Sequence, residues 1–352
     1  MEQIYAASTI LSCLVFILQT LYTTISSNNS DQKCHYHGNE SAYRLYSTRT
    51  VYGVIHNESA DLKDDPPQGC VAQGVYMVSR HGTRFPVIEE IKRMQALLPK
   101  IEQDILPHLK KGRLCSEEIQ ALEQWHLLYQ SHVDMNMNLA DVGIQEMYGL
   151  GNRMQQMFPE LLDVKNHNRL VFKHTGKPRV HQSTAVFIQG LSNVAESSPV
   201  DEVTESFNME DLSKNKRLLE SIEVCKRNKI SFKTREEEPI RRFDAGYQML
   251  DLIASVEARL GLPHDTVTNT DIDVLYDICR YDYAIYRVSP WCAIFSKENL
   301  RLLEYRQDLK YHWRYGFADP VNYESSCVLV SDLLQYFKNH KLHAHEAGPH
   351  AY

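Results

Sequence analysis

The fold is read outward from Val75-Tyr76-Met77-Val78-Ser79-Arg80-His81-Gly82-Thr83-Arg84-Phe85-Pro86. Four apolar or aromatic residues after Gly74 predict a short strand buried on both faces of a mostly parallel sheet. Ligands of open α/β sheets bind beyond the carboxyl ends of the strands, which is where Arg80-His81-Gly82 falls. Arg80 and Arg84 are permanently cationic, planar and rich in donors, suited to gripping phosphate oxygens. His81 is a candidate nucleophile whose pKa two flanking guanidiniums would depress, leaving a neutral imidazole with a free lone pair. Gly82 would let the backbone approach a ligand, with Thr83 beside it as a second binding residue. Helical spacing of Val87, Ile88, Ile91, Met94, Leu97 and Leu98 puts a helix N-terminus at the same spot, with Pro86 in its first turn, which favours an anion there. The simpler alternative, a buried and satisfied His beside two surface arginines, does not account for the strand and helix around it.

Arg80 to Pro86, read as Arg-His-Gly-Thr-Arg-aromatic-Pro, resembles the signature of the histidine phosphatase clan in its acid phosphatase and phytase branch. It is most similar to that of the multiple inositol polyphosphate phosphatases, and the likeness runs with gaps from about Arg49 to about Asn339. The resemblance implies an α/β fold, a mostly parallel sheet flanked by helices with an added helical subdomain. It also implies hydrolysis of phosphomonoesters through a phosphohistidine, with inositol hexakisphosphate, lower inositol polyphosphates and 2,3-bisphosphoglycerate as substrates. In the family an Arg shortly before a Ser and an apolar helix is a phosphate ligand, and that role carries to Arg179. No cofactor or metal is implied, and the expected partner is a small phosphorylated molecule bound by a monomer.

With 352 residues, 43% hydrophobic and 24% charged, the chain can bury a sizeable core. A net charge of −7 argues against a general nucleic-acid binder, whereas one cleft can still attract a polyanion. Ile4 to Ile25 carries no charge and reads as a secretory leader, or, if uncleaved, as an anchor that would hold the chain to a membrane. Asn-x-Ser sequons at Asn28, Asn39 and Asn57 follow it and support the secretory pathway. Seven cysteines lie beyond the leader: Cys34, Cys70, Cys115, Cys225, Cys279, Cys292 and Cys327. An odd number leaves at least one without a partner, the connectivity is open, and no Cys-x-x-Cys suggests a metal.

The expected organisation is a leader over 1–27, an N-terminal arm over 28–68, an α/β phosphatase core over 69–198, a helical subdomain and return to the core over 199–339 and a disordered tail over 340–352. Within it, Pro99 breaks the first helix, and a second helix runs from about Leu139 to Met157 with Met147, Leu150, Met154 and Met157 on its core face. Arg169 to His174 reads as a strand, Lys177-Pro178-Arg179 as a loop, Ser183 to Leu191 as a helix, and Ser192 to Asn215 as a linker. Helices are then expected over Leu218–Arg227, Ile240–Leu260 with Gly261 as the stop, Thr270–Tyr286, Ser296–Tyr315 and Cys327–Asn339, the last burying Val330, Leu334 and Phe337. Arg235-Glu236-Glu237-Glu238 with Arg241 and Arg242 reads as a solvated face. Ser289-Pro290-Trp291-Cys292 and Ser325-Ser326-Cys327 also resemble inositol polyphosphate phosphatase segments and read as structural.

Phosphomonoester hydrolysis also needs an acid to protonate the leaving oxygen. In the resembled family it comes from a His-Ala-Glu or His-Asp at the end of an apolar core strand, and no such strand is read after Asn339. His343-Ala344-His345-Glu346 has the residue types in another order, so no proton donor is assigned, and the chain reads as lacking the C-terminal core strand of the catalytic domain. Three readings follow: a secretory inositol polyphosphate phosphatase, an impaired product that only binds phosphate, and a general acid phosphatase or mutase of the clan.

Overall fold

The computed structural model describes residues 34, 43–55, 68, 70–129, 138–195, 198, 203–225, 234–343 and 350–351. In chain order these form α1 (Tyr52–Ile55), β1 (Gly74–Val75), α2 (Ile88–Lys100), α3 (Ser116–Glu123), α4 (Asp141–Met157), β2 (Val171–His174), α5 (Pro178–Leu191) and β3 (Asn208–Asp211). There follow α6 (Ser221–Val224), α7 (Glu237–Asp244), α8 (Tyr247–Leu260), α9 (Asn269–Tyr286), α10 (Lys297–Tyr315), α11 (Pro320–Glu324), α12 (Cys327–His343) and β4 (His350–Ala351). The leader and the three sequons lie outside the described residues, and no described helix is long and apolar enough to cross a membrane.

Every named strand pair is parallel, as expected, but the pairs form two separate two-stranded sheets, β1 with β4 and β2 with β3. The predicted strand over Val75–Val78 shortens to Gly74–Val75, because β4 supplies partners for those two residues alone, and Val78 is 57% exposed. An apolar cavity of about 350 Å³, bordered by Val75, Met77, Phe172, Phe187 and Leu329, separates β1 from β2. The stretch 340–352, read as a strandless tail, instead continues α12 to His343 and pairs His350–Ala351 with β1. β3 falls within the stretch read as a linker. Both were missed because an edge strand is held by backbone hydrogen bonds to a neighbour and needs no apolar alternation of its own.

α9 is the buried centre of the helical part. Thr268 and Asp271 cap its N-terminus reciprocally, with Thr268 Oγ1 accepting from Asp271 N at 3.2 Å and Asp271 Oδ2 accepting from Thr268 N at 2.9 Å. Ile272, Leu275, Tyr276, Ile278, Cys279 and Tyr281 then enter the main core with Met94, Ile101, Ile105, Leu252, Val256 and Trp291. Trp291 lies in the segment read as structural, and Cys292 beside it is bonded to Cys279 of α9. A second disulfide joins Cys34 to Cys115, which leaves Cys70, Cys225 and Cys327 free among the described cysteines.

Several local expectations need correction. Val87 is the N-cap of α2, so Pro86 precedes the first turn. Pro99 does not end that helix; the chain passes through it into a π-helical turn, Ile101–Ile105, which keeps Ile101 and Ile105 in the core. The Leu218–Arg227 helix is confined to Ser221–Val224, and the 240–260 helix divides between α7 and α8. Gly261 does stop α8, in the left-handed conformation. Of the charge run, Glu238, Arg241 and Arg242 are solvated, but Glu236 is buried against Arg314, and Arg235 pairs with Asp319 at 2.9 Å. Met147 is buried while Met157 is exposed. Val330, Leu334 and Phe337 are 53%, 54% and 50% exposed, because α12 docks through another stripe. Tyr76 donates to Asp332 at 2.8 Å and packs on Tyr336, whose ring turns the apolar stripe outward.

α4 and α5 pack at backbone contact. A Cβ on Gly151 would lie 2.2 Å from the carbonyl oxygen of Phe187, and one on Gly190 would lie 2.1 Å from that of Tyr148. Gly151→Ala gains about 0.5–1 kcal/mol of helix preference, but overpacking against an immobile carbonyl costs roughly 1–3 kcal/mol. The expected outcome is a net loss of about 1–2 kcal/mol, read as a lower urea midpoint; a stabilised variant would contradict this packing.

Candidate active site

The loop after β1 is pressed onto α4. A Cβ on Gly82 would lie 2.4 Å from the carbonyl oxygen of Gly143, and one on Gly143 would lie 2.0 Å from that of Thr83. The room that Gly82 leaves is therefore filled by α4. Glu146, one turn on, fastens the contact: it accepts from Thr83 N at 2.7 Å, Thr83 Oγ1 at 3.1 Å and Tyr52 N at 3.2 Å. Ser183 on α5 ties in the second arginine segment, accepting from Gly82 N at 3.2 Å and donating to the Arg179 carbonyl at 2.7 Å.

His81 is half-buried, with Nδ1 2.8 Å from its neighbour's carbonyl, Gly82 O. A carbonyl only accepts, so Nδ1 carries the hydrogen and Nε2 keeps the lone pair. The imidazole pKa is lowered to about 4, chiefly by burial; the Gly82 carbonyl opposes this, while Arg179, Arg80 and Arg84 add to it. The sign matches the expectation from the sequence. The leading cause is desolvation, which a sequence does not display.

His81, Arg80, Gly82, Thr83 and Arg84 line a cavity of about 370 Å³ with Arg49, Glu146 and Tyr281. Arg84 Nη1 donates to Phe85 O at 2.7 Å, to Tyr281 Oη at 3.2 Å and to Glu90 Oε2 at 3.4 Å. Arg80 reaches the carbonyl of Thr48 at 3.2 Å. Arg179 is not in a loop as expected but in the first turn of α5, after Pro178 at the first helical position. It borders a neighbouring cavity with Lys177 and Glu220, yet its charge still reaches His81.

Arg49 was not anticipated. Its guanidinium stacks 4.4 Å from the Tyr281 ring centroid and pairs with Glu90 at 3.0 Å. Its segment is pinned by buried Tyr46 and Val51 and by Ser47 N donating to Glu304 at 3.0 Å. No periodicity marks Arg49; only the docking of 43–55 against α9 and α10 brings it here. His343 ends α12, and the rest of His343-Ala344-His345-Glu346 lies outside the described residues.

Residues 73–351 match the histidine phosphatase superfamily (branch 2). The chain belongs to that family. Within it, multiple inositol polyphosphate phosphatase 1 of Drosophila melanogaster is 28% identical over 307 residues, covering 84% of this chain and 63% of that protein. The Homo sapiens protein of the same name is 28% identical over 276 residues, covering 76% and 55%. Phytase A of Aspergillus awamori is 23% identical, covering 87% and 63%. The chain thus spans between 55% and 63% of the length of these curated relatives. The fold is that of the phytase from D. castellii, with a TM-score of 0.66 at 17% identity over 88% of this chain and 64% of that one. It is shared with multiple inositol polyphosphate phosphatase of Bifidobacterium longum, solved with inositol hexasulfate, at a TM-score of 0.53 and 13% identity over 88% and 77%.

The candidate site should show its electrostatics directly. His81 is expected to titrate near pH 4 by NMR. Arg179→Ala removes a cation that opposes protonation, so the midpoint should rise. A wild-type midpoint at the ordinary value of about 6.5, or no rise in the variant, would contradict the geometry.

Proposed function

We propose that this chain carries a phosphomonoester hydrolase site for inositol polyphosphates, with His81 as nucleophile and Arg80, Arg84 and Arg179 as its cations. The observation that carries this reading is a neutral imidazole with a free Nε2, set in a cavity lined by Arg49, Arg80 and Arg84, where Glu146 is the one carboxylate among the described lining residues. Nε2 attacks phosphorus as the bond to the leaving oxygen breaks, and water then hydrolyses the phosphohistidine. The guanidiniums offset charge on the transferring phosphoryl group. Gly82 and Thr83 shape the floor, with Thr83 held back by Glu146.

The substrate class rests on the relatives and on cavity size. Proteins named multiple inositol polyphosphate phosphatase and phytase match the chain, and a protein of the same fold was solved with inositol hexasulfate. A cavity of about 370 Å³ lies within the range of roughly 300–1,000 Å³ for small-molecule sites.

A second reading, phosphate binding without turnover, is favoured by one observation. Both oxygens of Glu146 accept from Thr83 and Tyr52, which leaves no carboxylic acid aimed at the leaving oxygen among the described residues lining the cavity. Rapid-quench trapping of acid-labile phosphate decides between the two. Wild-type protein should label and His81→Ala should not; binding of phosphate without any labelling selects the second reading.

Passage through the secretory pathway fits the leader, the sequons and the two disulfides, which belong to an oxidising compartment. Expressed in a eukaryotic secretory host, the chain should lose roughly its first 25 to 30 residues and shrink on glycosidase treatment. Retention of Met1 without a glycan shift would overturn that route.

A further inference from the structure

Glu90 places a carboxylate at the edge of a site built to attract anions. It is the third residue of α2, and its Oε2 accepts from Val87 N at 2.9 Å, as a helix-capping residue would. The same group does more than cap. Oε1 takes Arg49 Nη2 at 3.0 Å, while Oε2 takes Arg84 Nη1 at 3.4 Å and the Tyr281 hydroxyl at 2.5 Å. Each guanidinium is thus gripped by one terminal nitrogen, on opposite oxygens of one carboxylate. The Nε of Arg49 and the Nε of Arg84 are both buried without a hydrogen-bond partner among the described residues.

We infer that Glu90 is a positioning residue that joins Arg49 and Arg84 into one paired phosphate receptor, fixing the spacing of two cations that would otherwise repel each other. The inference rests on the phosphate-binding part of the proposed function and not on turnover. Arg49 and Arg84 arrive from distant parts of the chain, Arg49 before α1 and Arg84 from the loop after β1. Like charges brought together in a partly desolvated cavity separate unless a counter-charge lies between them. Glu90 remains that counter-charge across the usable pH range. Burial raises its pKa, but Arg49 and Arg84, with the Tyr281 hydroxyl and the Val87 N–H, outweigh burial and hold it at about 2. The Tyr281 ring under Arg49 supplies the plane on which that guanidinium rests.

The test reads the sign of an affinity change, using inorganic phosphate as the probe in isothermal titration calorimetry of the full chain. If Glu90 were only a background negative charge, Glu90→Gln would tighten phosphate binding. As a positioning residue its loss should weaken binding about tenfold, the order expected for a misaligned charge-assisted contact. The amide can still accept from Val87 N, so the cap survives. A purely structural role is separated by ¹⁵N resonances of the arginine Nε–H groups, assigned through Arg49→Lys and Arg84→Lys. Phosphate should shift both in the wild type and leave both nearly unmoved in Glu90→Gln.

Tyr281→Phe, which keeps the ring and removes the hydroxyl that donates to Glu90 and accepts from Arg84, provides a gentler variant should the first fail to fold. It should weaken binding about threefold, less than Glu90→Gln, because the carboxylate still pairs with both arginines. Equal or tighter phosphate binding in Glu90→Gln overturns the inference, as does a full resonance response in that variant or no change in Tyr281→Phe. If the wild type follows the predicted binding pattern yet never labels His81, the hydrolytic reading fails while the paired receptor stands.

Discussion

Backbone contact between the loop after β1 and α4 is the constraint on which the site depends. Gly82 and Gly143 are the two positions where a side chain would force the segments apart, and Glu146 converts their proximity into a fixed register through Thr83 and Tyr52. β1 contributes only two paired residues, too few to hold His81 by sheet structure alone. The loop is instead held from its far side, by α4 at Gly143 and by α5 at Ser183. A small sheet can therefore support a site when helices grip the loop that leaves it.

The grouping of Arg49, Arg80, Arg84 and Arg179 near one imidazole is unfavourable in isolation, and the fold answers it in two ways. Burial keeps His81 uncharged, so the cluster does not gain a further positive group near neutral pH. Glu90 and the hydroxyl of Tyr281 meanwhile occupy one edge of Arg84, and Glu90 holds Arg49 as well. The remaining positive field faces the cavity, although the chain as a whole is acidic. A local field follows the arrangement of nearby charges and not the net charge.

α9 connects this site to the rest of the molecule. One stretch of it turns Tyr281 toward the cavity and buries Asp282 on another side, where Trp125 and Tyr129 each donate to it at 2.8 Å. Burial lifts the pKa of Asp282 to about 7, against the pull of those two donors. The cap at Thr268, the Cys279–Cys292 bond and the Lys100–Asp271 pair at 2.7 Å fix α9 lengthwise. The helical part thus sets the position of a ring that carries one of the cavity's arginines.

The sequence by itself determined the run of residue types from Arg80 to Arg84 that lines the cavity, the placement of most helices and the stop at Gly261. Those features are local: residue type, spacing and capping act within a few positions of one another. Tertiary structure decided the rest. Arg49 enters the site because buried Tyr46 and Val51 anchor its segment, β3 and β4 exist because a neighbouring edge pairs with them, and the apolar stripe of α12 faces outward because Tyr76 selects the opposite face. The pKa of His81 belongs to the same class, since its main cause is desolvation. Burial and the meeting of distant charges arise from contacts between segments far apart in the chain, and no pattern within either segment encodes its partner.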